Sequence, residues 1–325
     1  MSEVSTGGVH ATPNRVALLG LPRCGTTWSA NLLSAHPAVS LVNEPDNRTF
    51  DVLGWLGTGR LGVVPCLSPG DRASEYRTMW RIAFAGGWPE AGTLGRATRA
   101  LRRTATNDAV PHRLRVAALL AAGRLAAQRR PAGPLVLVKS VRAEFAVDWL
   151  VREFDPAVLV VWRHPLNVVS SWIQKDWQGS HLNDLPPVRD RFSGTGAWPP
   201  PSGGAAAAAW TICANLTILL ESVERLPGAL VVNHERNTQD PENAAATILS
   251  WLGLDWHEAV QEFIAENDRP GEGWDIQRRM AEEPTRWRAR LSPEDAREVL
   301  AVVERFQSES AVAAAAWPAC PAVAS

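Results

Sequence analysis

Short, fully apolar runs alternate along this chain with polar loops and stretches of helical period. Five runs stand out: Val16–Leu19, Ser40–Val42, Leu135–Val138, Val158–Trp162 and Leu230–Asn233. Runs of this kind suit strands covered on both faces, whereas a half-exposed strand would alternate apolar and polar positions. Most are followed by polar residues and then a helical pattern. The pattern predicts an α/β fold of three layers, a central parallel sheet flanked by helices. A small, polar leader over 1–14 and an Ala-rich, weakly ordered tail over 311–325 bracket a single domain over 15–310. Two regions break the rhythm. Residues from about 51 to 134 carry helical pieces without a convincing strand and read as a helical insertion. Residues from about 174 to 204, rich in Gly, Pro, Asp and Trp, read as a substrate lid or binding loop, with a plain surface loop as the alternative.

Composition narrows the chemistry. The chain has 325 residues, 46% of them hydrophobic, enough for a substantial core. With 33 basic and 34 acidic residues, nothing pulls it globally toward nucleic acid or an anionic membrane, so any anion site must be local. The four cysteines, Cys24, Cys66, Cys213 and Cys320, are scattered without a C-x-x-C pair. That argues against a zinc site and suits a reducing cytoplasm. No apolar h-region opens the chain, and no apolar run reaches the length of a membrane span. In the insertion, Arg96, Arg99, Arg102 and Arg103 read as a solvated face before an anion patch.

The first strand runs into G-x-x-x-x-G-T-T, Gly20 to Thr27, and straight on into a helix. Strand, glycine loop and helix in that order form a phosphate cradle, because loop amides and the helix N-terminus converge on one point. A triphosphate-binding loop would have lysine where Thr26 stands. Arg23 is the cation of this loop instead, so the cradle suits a phosphate and poorly suits Mg·ATP. The segment VLVVWRHPLNVVSSW repeats the logic. Arg163 ends a strand, Pro165 suits the first turn of a helix, and Ser171 lies eight residues beyond Arg163, just over two helical turns. An arginine and a serine so placed can converge on a second phosphate. Two anion sites on one sheet suit a nucleotide phosphorylated at two places.

The pair LPRCGTTW and WRHPLNVVSSW resembles the 5′-phosphosulfate loop and 3′-phosphate motif of sulfotransferases that use PAPS, 3′-phosphoadenosine 5′-phosphosulfate. Further likenesses lie in LVLVKS, in LVVNHERNTQDPENAAATILSWLGL and in TRWRARLSPEDA. The resemblance implies a modified P-loop sulfotransferase fold, PAPS as donor, 3′,5′-ADP as product and no metal. It implies that Arg23 stabilises the bridging oxygen and that Gly25, Thr26 and Thr27 hold the 5′-phosphate. Trp28 would stack on adenine, Arg163 and Ser171 would bind the 3′-phosphate, and Arg286, Trp287 and Arg288 would close over it. Cys24 replaces a usual serine of the cofactor loop and reads as packing.

Sulfuryl transfer needs a group to take the acceptor's proton. Steroid and phenol sulfotransferases place a histidine two residues after the strand-ending lysine. Here that lysine is Lys139 and the position is Val141, which cannot take a proton. Glu44, at the end of the second strand, matches the place of a catalytic glutamate in tyrosylprotein and several bacterial members. The alternative for Glu44 is a structural carboxylate paired with Arg23 or Arg48. Lys139 would touch the transferring group. His164 reads as a cap or packing residue, and Trp177 and His181 as candidates for the acceptor side. Trp55, Trp80, Trp88, Trp177 and Trp198 suggest an apolar or ring-bearing small acceptor over a polymer. The composition resembles high-GC actinobacterial proteins, among which such enzymes tailor natural products. An amine, protein or carbohydrate acceptor and a P-loop nucleotide kinase are the alternative readings.

Overall fold

The computed structural model describes residues 13–48, 52–88, 109–126, 134–271, 275 and 277–317, with a few positions between 97 and 104. Five strands, β1 (Arg15–Leu19), β2 (Val39–Asn43), β3 (Leu135–Ser140), β4 (Ala157–Trp162) and β5 (Leu230–Asn233), form one sheet in the order β2-β3-β1-β4-β5. Every pairing is parallel. The apolar runs explain why. In β1, Val16 and Leu18 join the core on one face while Ala17 and Leu19 join the core on the other. β3 and β4 divide the same way, so a continuous apolar strand is the one that fits between two helical layers.

Parallel pairing puts all five carboxyl ends on one rim, with β1 between β3 and β4. The chain leaves β1 toward β2 on one side and later crosses from β3 to β4 on the other. The rim around β1 is therefore where connections diverge, the usual place for a ligand crevice in an open α/β sheet.

The insertion is helical among its described residues, with helices Val52–Thr58, Ser74–Phe84 and His112–Ala126. Arg103 is exposed there, while Arg96, Arg99 and Arg102 fall outside the described residues, as do the first 12 residues and Cys320. Trp80 is not at a ligand surface. It is fully buried among Tyr76, Phe84 and Trp149.

Three expectations change. The region 174–204 is not a plain surface loop: it contains a turn of helix at Ser180–Leu182 and the helix Pro186–Phe192. Val188, Phe192 and Ala197 are fully buried, and Arg305 donates to the carbonyls of Gly196 and Ala197 at 3.2 and 2.7 Å. Trp198 packs edge-on against Trp210, with ring centroids 5.7 Å apart. The tail is ordered as far as it is described, because Ala311–Ala316 is helical and Trp317 is fully buried. Helix Gly204–Glu224 is long and apolar enough to cross a membrane, contrary to the reading of the runs. Its 18-residue apolar window is 78% buried inside the protein, where it packs against helices Pro165–Ile173 and Pro293–Glu309.

Candidate active site

The loop between β1 and helix Thr26–Ser34 is shaped by two glycines. A Cβ on Gly20 would lie 2.4 Å from the Val161 carbonyl oxygen of β4. Gly25 has φ 90°, and a Cβ there would lie 2.3 Å from the His234 ring. Arg23 also turns through the left-handed region, at φ 75°. No side chain caps the helix that follows, so its first-turn N–H groups are left to an acceptor from outside the helix.

Arg23 crosses from this loop to the neighbouring strand connection, where its Nε donates to Ser171 Oγ at 2.8 Å. Ser171 is buried on helix Pro165–Ile173. His164 caps that helix, its Nδ1 accepting the Leu166 N–H at 3.2 Å, and burial pushes the imidazole pKa down. The cap reading of His164 is correct.

Around Arg163, at the tip of β4, positive charge accumulates. Arg163 is buried and donates from Nη2 to Glu283 Oε2 at 2.9 Å and to the Glu283 carbonyl at 3.2 Å. Arg286 donates to Glu283 Oε1 at 2.6 Å, and His234 Nε2 lies 3.8 Å from Oε2. Glu235 faces the other side of Arg163 at 3.6 Å. Burial lowers the pKa values of Arg23, Arg278 and Arg290, the last to about 10, and repulsion among these arginines, Arg163 and Arg286 lowers them further. Burial alone would raise Glu283, yet His234, Arg163 and Arg286 hold its carboxyl well below the usual range.

Across the rim, Glu44 follows β2 with φ 46°, and its N–H donates to the Lys139 carbonyl at 2.8 Å. Its carboxylate forms an ion pair with Lys139 and accepts from Asn47 Nδ2 at 2.5 Å. Lys139 is 1% exposed and also donates to Thr27 Oγ1 at 3.0 Å. One ammonium thus ties the candidate base to the phosphate loop. Arg48 is not the partner of Glu44; it bonds the Thr58 hydroxyl at 2.7 Å and the Gly62 carbonyl at 3.0 Å. Behind the pair, Ser140 donates to buried Asp46 at 2.5 Å. Burial pushes Asp46 up to about 6 and Glu144 up to about 8.

The other named residues divide. Thr26 is buried and Thr27 exposed at the start of the loop helix. Cys24 is fully buried, with its thiol pushed up to about 12 by burial, as inert packing requires. Trp28 offers little surface to a base: it is 6% exposed, packed with Leu18, Val161 and Met280, and its ring meets His234 edge-on at 5.9 Å. Trp287 is a core residue whose N–H donates to Asn167 Oδ1 at 3.2 Å. Arg288 is exposed, its guanidinium 4.6 Å from the Trp287 ring, and does not join the cluster. Trp177 stands near the loop, edge-on to Trp172, whose indole N–H donates to the Pro22 carbonyl at 3.1 Å. His181 is exposed, and among the described residues no hydrogen bond or ion pair joins it to Glu44 or Lys139.

Sequence reasoning missed Arg278, Arg290, Glu283 and Lys175. Lys175 feels Arg23 and Arg278. The density of arginine between 278 and 290 was the available signal, but it does not say which side chains face inward.

A family model described as the sulfotransferase family matches residues 14–258. Among solved structures, the sulfotransferase domain of the Synechococcus PCC 7002 olefin synthase is 19% identical, with TM-score 0.48 over 91% of this chain and 96% of that one. The sulfotransferase domain from the curacin biosynthetic pathway is 14% identical, with TM-score 0.47 over 90% and 97%. A mouse sulfotransferase solved with PAP is 11% identical, with TM-score 0.44 over 94% and 88%. No protein of curated function matches the chain significantly.

Proposed function

The chain belongs to the sulfotransferase family, and from that premise we propose that it moves a sulfuryl group from PAPS to a hydroxyl of a small molecule, releasing 3′,5′-ADP. One observation carries the reading. The buried Glu44–Lys139 pair shares a strand rim with Arg23, Arg163, Arg278, Arg286 and Arg290, a surplus of positive charge over the carboxylates among them. The residues fit a bisphosphorylated nucleotide. The uncapped helix and the unpartnered buried nitrogens of Trp28 and His234 adjoin the loop.

PAPS supplies an activated sulfur and a phosphate leaving group. The loop amides and Arg23 neutralise the charge that collects on the bridging oxygen as the S–O bond breaks. Arg163, Ser171 and Arg286 hold the 3′-phosphate. Glu44 takes the acceptor's proton as its oxygen bonds to sulfur, and Lys139 sits between this base and the loop, where it steadies both. The helical insertion and the segment 174–177 flank the site on the acceptor side.

Purified protein incubated with PAPS and panels of alcohols, phenols, glycosides and amines is the test, with 3′,5′-ADP release quantified. Turnover with a hydroxyl compound is the expected result. Turnover confined to amines would move the acceptor class. Release with none of them, or phosphate transfer from ATP, would overturn the proposal.

A further inference from the structure

Glu283 is a carboxylate in an unusual place. It is 2% exposed, and its two oxygens are divided between Arg163 and Arg286, with His234 beside them. Arg163 and Arg286 are two of the three donors that the proposed function assigns to a 3′-phosphate. We infer that Glu283 is an internal anion seated in the 3′-phosphate position, which the nucleotide must displace, so that this one residue sets affinity for 3′-phosphorylated nucleotides. The inference rests on the proposed use of PAPS.

Two features of the chain support displacement. Glu283 rides on Met280–Ala289, a 3₁₀ segment interrupted by Pro284. Such helices have poorer hydrogen-bond geometry than α-helices and rearrange at lower cost. The segment is anchored on either side of Glu283, by the Trp287 backbone N–H to Asn167 and by the Met280 N–H to Asp268 at 2.9 Å. Between them the Glu283 and Pro284 carbonyls are held, by Arg163 at 3.2 Å and Asn167 at 3.1 Å, so displacement exchanges those two bonds while the ends stay in place. Second, the charge around Glu283 is incompletely balanced. Arg23, Arg278 and Arg290 also feel this carboxylate or its partners, and a single negative charge offsets less of that repulsion than a phosphate dianion. A 3′-phosphate therefore has a reason to win the exchange that a nucleotide lacking it does not.

Calorimetric titration of wild type and Glu283→Gln with 3′,5′-ADP and with 5′-AMP tests this. If the resting state is mostly plugged, the apparent Kd is the intrinsic Kd divided by the open fraction, so removing the charge tightens 3′,5′-ADP by about tenfold or more. Affinity for 5′-AMP stays within about twofold, a selectivity that general loosening of the fold would not give. Glu283→Asp, which keeps the charge and shortens its reach, should tighten binding less. In wild type, 3′,5′-ADP should change amide exchange across 280–289 and 5′-AMP should not, a readout that survives if both variants unfold. Weaker 3′,5′-ADP binding by the variants, or equal changes for both nucleotides, overturns the inference and leaves the proposed function standing. Absence of 3′,5′-ADP binding to wild type removes both.

Discussion

Arg23 and Ser171 are 148 residues apart in sequence, yet Arg23 Nε donates to Ser171 Oγ at 2.8 Å. The bond joins the loop after β1 to the helix after β4, and it exists because those two strands are neighbours in the sheet. The two proposed anion seats are therefore adjacent and share a hydrogen bond.

Ser171→Ala should weaken 3′,5′-ADP binding by roughly ten- to a hundredfold, the loss of about 1.5–3 kcal/mol expected for a hydrogen bond to a charged group. Calorimetry measures it directly. Unchanged affinity would show that the serine serves Arg23 or the helix alone and not the nucleotide.

Glu44→Gln should lower turnover by roughly 10²–10⁴-fold, the usual contribution of a general base, while 3′,5′-ADP still binds. Lys139→Met should behave differently. It leaves a buried carboxylate without its cation, which costs about 3–5 kcal/mol of stability. Glu44→Gln likewise leaves the buried Lys139 ammonium without its anion but keeps an amide oxygen for it to donate to, so thermal melts should show a smaller loss than for Lys139→Met. Full activity in Glu44→Gln would remove Glu44 from the base role.

Gly25→Ala should damage the loop twice over. The left-handed φ costs an L-residue about 1–2 kcal/mol, and the new methyl meets the His234 ring. A lower melting temperature together with lost 3′,5′-ADP binding is the expected result. The double variant with His234→Ala should recover part of the stability, since it removes the clash but not the backbone strain.

Glu144 and Asp46 make stability depend on pH. Burial raises them from ordinary values of 4.5 and 3.8 to about 8 and about 6. The folded protein therefore binds more protons than the unfolded chain between those limits, so stability is fullest below about pH 4 as regards these two groups and falls as pH rises to about 8. Each contributes up to about 1.4 kcal/mol per pH unit while it titrates. Urea melts from pH 5 to 8.5 should show the fall, and Glu144→Gln should flatten its upper part. An unchanged slope in that variant would place the effect elsewhere.

The strands were legible because a buried parallel strand must be apolar on both faces, and runs such as Val158–Trp162 have few other uses. Gly20 and Gly25 were legible as a loop for the same reason that they are required there: backbone passes where no side chain fits. His164 could be read as a cap because proline follows it. The direction in which an exposed-looking charged residue points was not legible. Arg288 and Arg290 are equivalent in composition and spacing, but Arg288 lies over Trp287 while Arg290 shares the field of the cluster.

Local pattern and covalent restraint were thus enough to decide the sheet, the loop and the residues at the strand ends, since each depends on neighbours a few positions away. Tertiary structure alone decided that Glu44 meets Lys139 and not Arg48, that residues 174–204 pack firmly, and that a carboxylate sits among the arginines. Those outcomes depend on which distant segments share one rim of the sheet. Charge interactions at that rim act through space, over distances that sequence separation does not encode.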